Sequence, residues 1–109
     1  MRIPADAIIA REKLTRYLLV PRFKSDKSSF LAKLGFTLAN PDVLDSAIRR
    51  QADSAEVVVE SADIYGEHMT VVSELIGPIG KRLVVTVWVR SAVDGVVRFV
   101  TLKPSRKKS

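Results

Sequence analysis

The sequence predicts an α+β fold, with three N-terminal helices packed on a four-stranded antiparallel sheet. Three observations predict it. Apolar residues recur at helical spacing through the first half of the chain. From Ala55 onward, runs rich in Val and Thr replace that spacing. The turns between those runs are short, which makes neighbouring strands antiparallel.

The first helix is expected over Ile8 to Leu19. There Ile9, Lys13 and Tyr17, and also Leu14 and Leu18, fall three or four apart. Pro21 stops it, because the residue before a proline avoids the α region. A second helix follows Ser25 or Asp26 as N-cap, carries the stripe Phe30, Leu31 and Leu34, and ends at Gly35. Asn40-Pro41-Asp42 opens the third: Asn40 as cap, Pro41 in the first turn, Asp42 at the positive end of the helix dipole. Its buried face is read as Val43, Leu44, Ala47 and Ile48, with Arg49 and Arg50 toward its C-terminal end. The strands are read as Glu56–Glu60, His68–Ile76, Lys81–Arg90 and Val96–Lys103. Turns at Tyr65-Gly66, Gly77–Gly80 and Asp94-Gly95 separate them. Residues 1–104 form one domain in this reading, and 105–109 a basic, disordered tail.

A two-residue turn at Asp94-Gly95 would place Thr86, Trp88, Arg90, Phe99, Thr101 and Lys103 on one sheet face, a surface suited to a ligand. A longer loop would change the pairs. The Gly77–Gly80 loop allows two parities. A strict one puts His68, Thr70, Val72 and Glu74 on the side of Leu83 and Val85, and a bulge would reverse it.

The chain carries a net charge of +6, unevenly spread. Residues 1–34 hold eight Lys/Arg and three Asp/Glu, residues 55–100 four and six, and residues 101–109 four and none. Such asymmetry points to a polyanion, above all nucleic acid. A solvated surface with a charged tail would show the same pattern. The sequence has no cysteine, so disulfides and cysteine-based zinc sites are excluded. Neither a signal peptide nor a membrane span is read, and the expected location is the cytoplasm. No cofactor motif or metal-ligand spacing occurs.

Arg22, Lys24 and Lys27 crowd the expected start of the second helix, where cations beside a helix N-terminus can hold a phosphate. His68, the single histidine, is the proton-transfer candidate, or an exposed residue at a strand start. Trp88 can stack a base or fill the core, and Arg90 and Lys103 add charge to the same strands. Arg98 and Thr101 lie on the last strand; Arg98 could bind phosphate or stabilise a phosphorane, or the two could form a cross-strand polar pair. Asp63, Glu67 and Glu74 show no spacing that indicates a metal or glycosidase site.

Glu12-Lys13-Leu14-Thr15, Tyr17-Leu18-Leu19, Lys24, Lys27, Phe30, Leu34-Gly35, Tyr65-Gly66, Gly77-Pro78 and Arg98–Pro104 together resemble an uncharacterised bacterial domain family. Its members occur as short stand-alone proteins and as tails of polymorphic toxins, sometimes beside a small partner gene. The layout is also similar to the barnase/RelE-type ribonuclease toxin fold. That resemblance implies metal-independent RNA cleavage and an antitoxin or immunity protein as partner. It would make Lys24 and Lys27 phosphate ligands, His68 the proton-transfer group, Arg98 the transition-state cation and Thr101 a substrate-orienting hydroxyl. On their own chemistry, outside that resemblance, Arg22, Trp88, Arg90 and Lys103 are the candidates for binding the nucleic acid. The chain departs from the pattern in lacking a helix-borne His or Glu. A non-catalytic nucleic-acid-binding module and a protein-interaction module are the alternatives.

Overall fold

The computed structural model describes residues 2–21 and 27–105. The first helix, α1, spans Arg11–Lys13 and continues as a π-helical segment, Leu14–Leu18. It starts later than its spacing predicts because Ile8 is extended and pairs with the last strand. The Ile8 amide donates to the Val97 carbonyl, and the Phe99 amide to the Ile8 carbonyl, both at 2.8 Å. Helix α2 spans Ser28–Lys33 and α3 spans Pro41–Asp53. The expected caps Ser25 and Asp26 lie outside the described residues, and Lys27 occupies the N-cap position of α2. Gly35 follows α2 at φ +98°, the left-handed stop that glycine favours.

Asn40 stands at the N-cap of α3 but does not cap it. Its Oδ1 instead accepts from the Thr37 amide at 2.8 Å, and its Nδ2 donates to the Gly35 carbonyl at 3.2 Å. The side chain thus folds back to close the preceding turn. The buried face of α3 is Leu44, Ala47, Ile48, Gln51 and Ala52, while Val43 is exposed. The correction follows from helical geometry, since Val43 lies about 100° around the axis from Leu44.

The four strands are β1 (Val58–Asp63), β2 (Gly66–Ile76), β3 (Lys81–Ser91) and β4 (Val97–Pro104). They form one antiparallel sheet in the order β1-β2-β3-β4. β2 and β3 pair without irregularity from Gly66↔Ser91 to Ile76↔Lys81, so the Gly77–Gly80 loop follows the strict parity. That loop docks on the end of α2, where the Ile79 amide donates to the Leu34 carbonyl at 3.1 Å.

The β3–β4 register differs from the two-residue-turn expectation. The Gly95 amide donates to the Ser91 carbonyl at 2.8 Å and Ser91 donates to the Val96 carbonyl at 3.0 Å, which makes a four-residue loop. Gly95 takes φ +71° within it. An irregularity at Val87/Trp88 then shifts β4, so Trp88 faces Phe99, Val87 faces Thr101 and Thr86 faces Leu102.

The inner face of the sheet carries Met69, Val71, Leu75, Val84, Thr86, Trp88, Phe99 and Leu102, all buried. Leu14, Leu18, Leu31, Phe36, Leu44 and Ile48 close over it from the helical side. The Trp88 and Phe99 rings meet edge to face at 5.3 Å. A polar chain crosses this core. Trp88 Nε1 donates to Thr86 Oγ1, and Thr86 Oγ1 to Gln51 Oε1, each at 2.9 Å. Gln51 Nε2 donates to the carbonyls of Val71 at 3.0 Å and Val84 at 3.2 Å. Every member has a partner, so the network ties α3 to the sheet without an orphaned dipole.

Candidate nucleic-acid interface

The sheet divides the residues singled out from sequence into two groups. His68, Arg98, Thr101 and Lys103 alternate with buried neighbours and project from the outer face. Lys27 lies on the helical side, against Tyr17, whose ring packs on the core. A single active site holding both Lys27 and His68 would have to pass through the sheet, so the composite site expected from sequence does not assemble. Arg22 and Lys24 lie outside the described residues.

On the helical side, the segment Leu14–Leu18 buries Leu14 and Leu18 and leaves Tyr17 half exposed. The Leu19 amide reaches five residues back to the Leu14 carbonyl at 3.0 Å, the wide turn of a π-helix, a geometry common at functional sites. Two ammonium groups flank the Tyr17 ring: Lys13 Nζ at 6.0 Å from its centroid and Lys27 Nζ at 5.4 Å. Lys27 Nζ also donates to the Tyr17 hydroxyl at 3.4 Å. Among the described residues, no carboxylate pairs with Lys13 or Lys27. Beside them runs an open groove lined by Leu19, Pro21, Ser28, Ser29 and Ala32. Arg82 lies 5.7 Å from the Phe30 ring on the neighbouring surface. Cations interleaved with aromatic rings, and with no described acid paired to Lys13 or Lys27, suit a phosphate backbone with a base stacked beside it.

The outer face has another character. One lateral row runs Ser61–His68–Val89–Arg98, and the next runs Val58–Thr70–Val87–Thr101. His68 and Arg98 are therefore two strand spacings apart, about 10 Å, with Val89 between them. His68 Nε2 lies 3.7 Å from Asp63 Oδ2. The Thr70 hydroxyl donates to Glu60 Oε2 at 2.9 Å, which draws Glu60 onto this face. Arg98 bonds Asp94 at 3.2 Å. The Asp94 carboxyl is held below the usual carboxylate range by the Val96 amide first and by Arg98 second.

Over residues 4–106 the chain matches the family described as Domain of unknown function (DUF6883). It belongs to that family. No curated protein matches it, and no solved structure does. The span matched by DUF6883 includes both the Lys13–Tyr17–Lys27 cluster and the whole sheet.

Two of the nine candidates have other settings. Trp88 is fully buried and spends its indole N–H on Thr86, so it has no face for a base. Arg90 lies directly opposite Glu67 on β2, 3.5 Å from its carboxylate. Lys13 and Tyr17 were missed by sequence reasoning. Their i, i+4 spacing beside a stretch dense in Lys and Arg was the available signal. Among the described residues, no cluster of His, Asp and Glu could hold a metal, and no helix is long and apolar enough to cross a membrane.

Proposed function

We propose that this DUF6883 chain is an RNA-directed protein of the toxin type, which binds single-stranded RNA at Lys13, Tyr17 and Lys27 and cleaves it without a metal. The observation that carries the reading is the pair of ammonium groups on one tyrosine ring, unopposed by any described carboxylate. The two lysines would neutralise the phosphate and the charge that builds on it as the 2′-oxygen attacks. As the 2′-oxygen bonds to phosphorus, its proton passes to water and the bond from phosphorus to the 5′-oxygen breaks. The Tyr17 phenol, beside Lys27, would protonate the departing 5′-oxygen and be reprotonated by solvent. The groove along Leu19 and Ala32 would take the adjoining base. The resemblance to toxin tails further implies a small neutralising protein.

The position of His68 favours a second reading, a non-catalytic RNA-binding module. The chain's single histidine lies across the sheet from the lysine pair and cannot serve there.

A labelled single-stranded RNA, incubated with the purified chain in EDTA, tests both. Cleavage that Tyr17→Phe abolishes while binding persists supports the enzyme. Binding without cleavage leaves the module. In either case Lys27→Ala should weaken binding and lower the salt slope by about 0.7, one phosphate's worth for a single strand. No RNA binding at low salt would sink both readings.

A further inference from the structure

Among the described residues, no element covers the outer face of the sheet. The described helices all lie on the inner side, yet the outer side is apolar along its middle: Val58, Val72, Leu83, Val85, Val87 and Val89. Val58 and Val72 are 51% and 43% exposed. Apolar patches of this extent on a soluble surface mark contact sites. At ~3.3 Å per residue and ~4.8 Å per strand, the face measures roughly 600 Å². Burying it on two copies would remove about 1,200 Å², the lower bound of a stable interface.

Charge is partly segregated across this face. The β1–β2 side carries Glu60 and Glu74, with Asp63 at its end, and the β4 edge carries Arg98 and Lys103. Lys81 of β3 lies 3.7 Å from Glu74 and Asp94 lies 3.2 Å from Arg98, so Glu60 and Lys103 carry the clearest difference between the two sides. We infer that the face packs against the same face of a second copy, about a two-fold axis parallel to the strands. Such an axis lays β4 of each copy over β1 of the other. The row Ser61–His68–Val89–Arg98 then brings Arg98 of one copy over Ser61 and the adjacent Glu60 of the other. An axis perpendicular to the strands would instead stack β4 on β4 and oppose Arg98 and Lys103 to themselves, which like-charge repulsion disfavours. Face-to-face sheets sit about 10 Å apart, within reach of an arginine and a glutamate extended toward each other. The inference goes beyond the RNA reading and does not depend on it. The Lys13–Tyr17–Lys27 cluster lies on the opposite side and stays exposed in the dimer.

Sedimentation velocity on the whole chain tests the proposal. At about 100 µM the wild type should sediment as twice its 12.1 kDa. Val87→Lys, at the centre of the face, should give a monomer. Arg98→Glu and Glu60→Arg, both at exposed sites that leave the core intact, should each raise the dimer Kd at least about tenfold. The double variant Glu60→Arg/Arg98→Glu should recover to within about threefold, since the swapped pair restores the attraction. A monomeric wild type, or a dimer indifferent to all three single changes, overturns the proposal. Failure of the charge swap to rescue overturns the strand-parallel axis. RNA binding measured on the same samples reads the other face separately.

Discussion

Val87 and Trp88 follow one another in β3 and live in different environments. Trp88 enters the inner face, loses all contact with solvent, meets Phe99 edge to face and anchors a hydrogen-bonded chain to α3. Val87 points the other way, between Thr70 and Thr101, with no described element above it. The inner face shows how the chain holds itself together. Its polar groups are satisfied internally and its apolar groups are closed over by helices. The outer face keeps both kinds of group at the surface, with valines in the middle and charged residues toward its margins. A packed face and an open face thus sit back to back on one sheet, a strand's thickness apart.

The contrast is sharpest in stability. At protein concentrations well below the dimer Kd, where the outer face is uncovered, Trp88→Ala should cost about 3–5 kcal/mol through the cavity it leaves. Val87→Ala should cost under about 1 kcal/mol there, because its side chain is only half buried. Urea unfolding of the two variants checks the difference. Equal losses would mean that the outer face belongs to the core.

The polar chain gives an intermediate effect. Gln51→Leu leaves the Thr86 hydroxyl without its acceptor and the Val71 and Val84 carbonyls without this donor, inside the core. It should cost about 1–3 kcal/mol in the same assay. A neutral result would show that apolar packing of α3 suffices and that the network contributes only orientation.

The smallest effect belongs to the β3–β4 loop at the margin of the outer face. Asp94 has its carboxyl lowered by the Val96 amide and by Arg98. The folded chain therefore binds that proton less tightly than the unfolded one. The contribution of the loop is complete above the ordinary aspartate value of 3.8 and is lost as pH falls through the lower folded value. Titrating the Asp94 carboxyl by NMR, with Val96 amide exchange alongside, should show a midpoint below 3.8 and faster exchange beneath it. An ordinary midpoint would remove the loop's hold on Arg98.

Much of the architecture was legible in residue order. Pro41 set the start of α3, Gly35 the end of α2, and the Val-rich runs the strands, because these signals act within a few residues. The site was less legible. Lys27 was singled out for its local charge, but its neighbours Lys13 and Tyr17 join it only when two segments meet. His68, Arg98, Thr101 and Lys103 proved to share a face, though one that is separated from Lys27. Thr86, Trp88 and Phe99 do share a face, but it is the buried one. The two extra loop residues at Asp94-Gly95 shift the register by two and keep that parity, whereas the irregularity at Val87/Trp88 turns Thr101 and Lys103 to the opposite face.

By itself, then, the sequence determined the class of fold, the order of its elements, the basic N-terminal half and the absence of any thiol chemistry. Tertiary structure alone decided which side of the sheet each residue faces. Strand side chains alternate with a period of two, so the one extra residue at the Val87/Trp88 irregularity reverses the assignments of Thr101 and Lys103 beyond it, and no local signal records that count. It alone also decided that the helices cover one side only, which leaves the lysine–tyrosine cluster and the open valine face pointing in opposite directions.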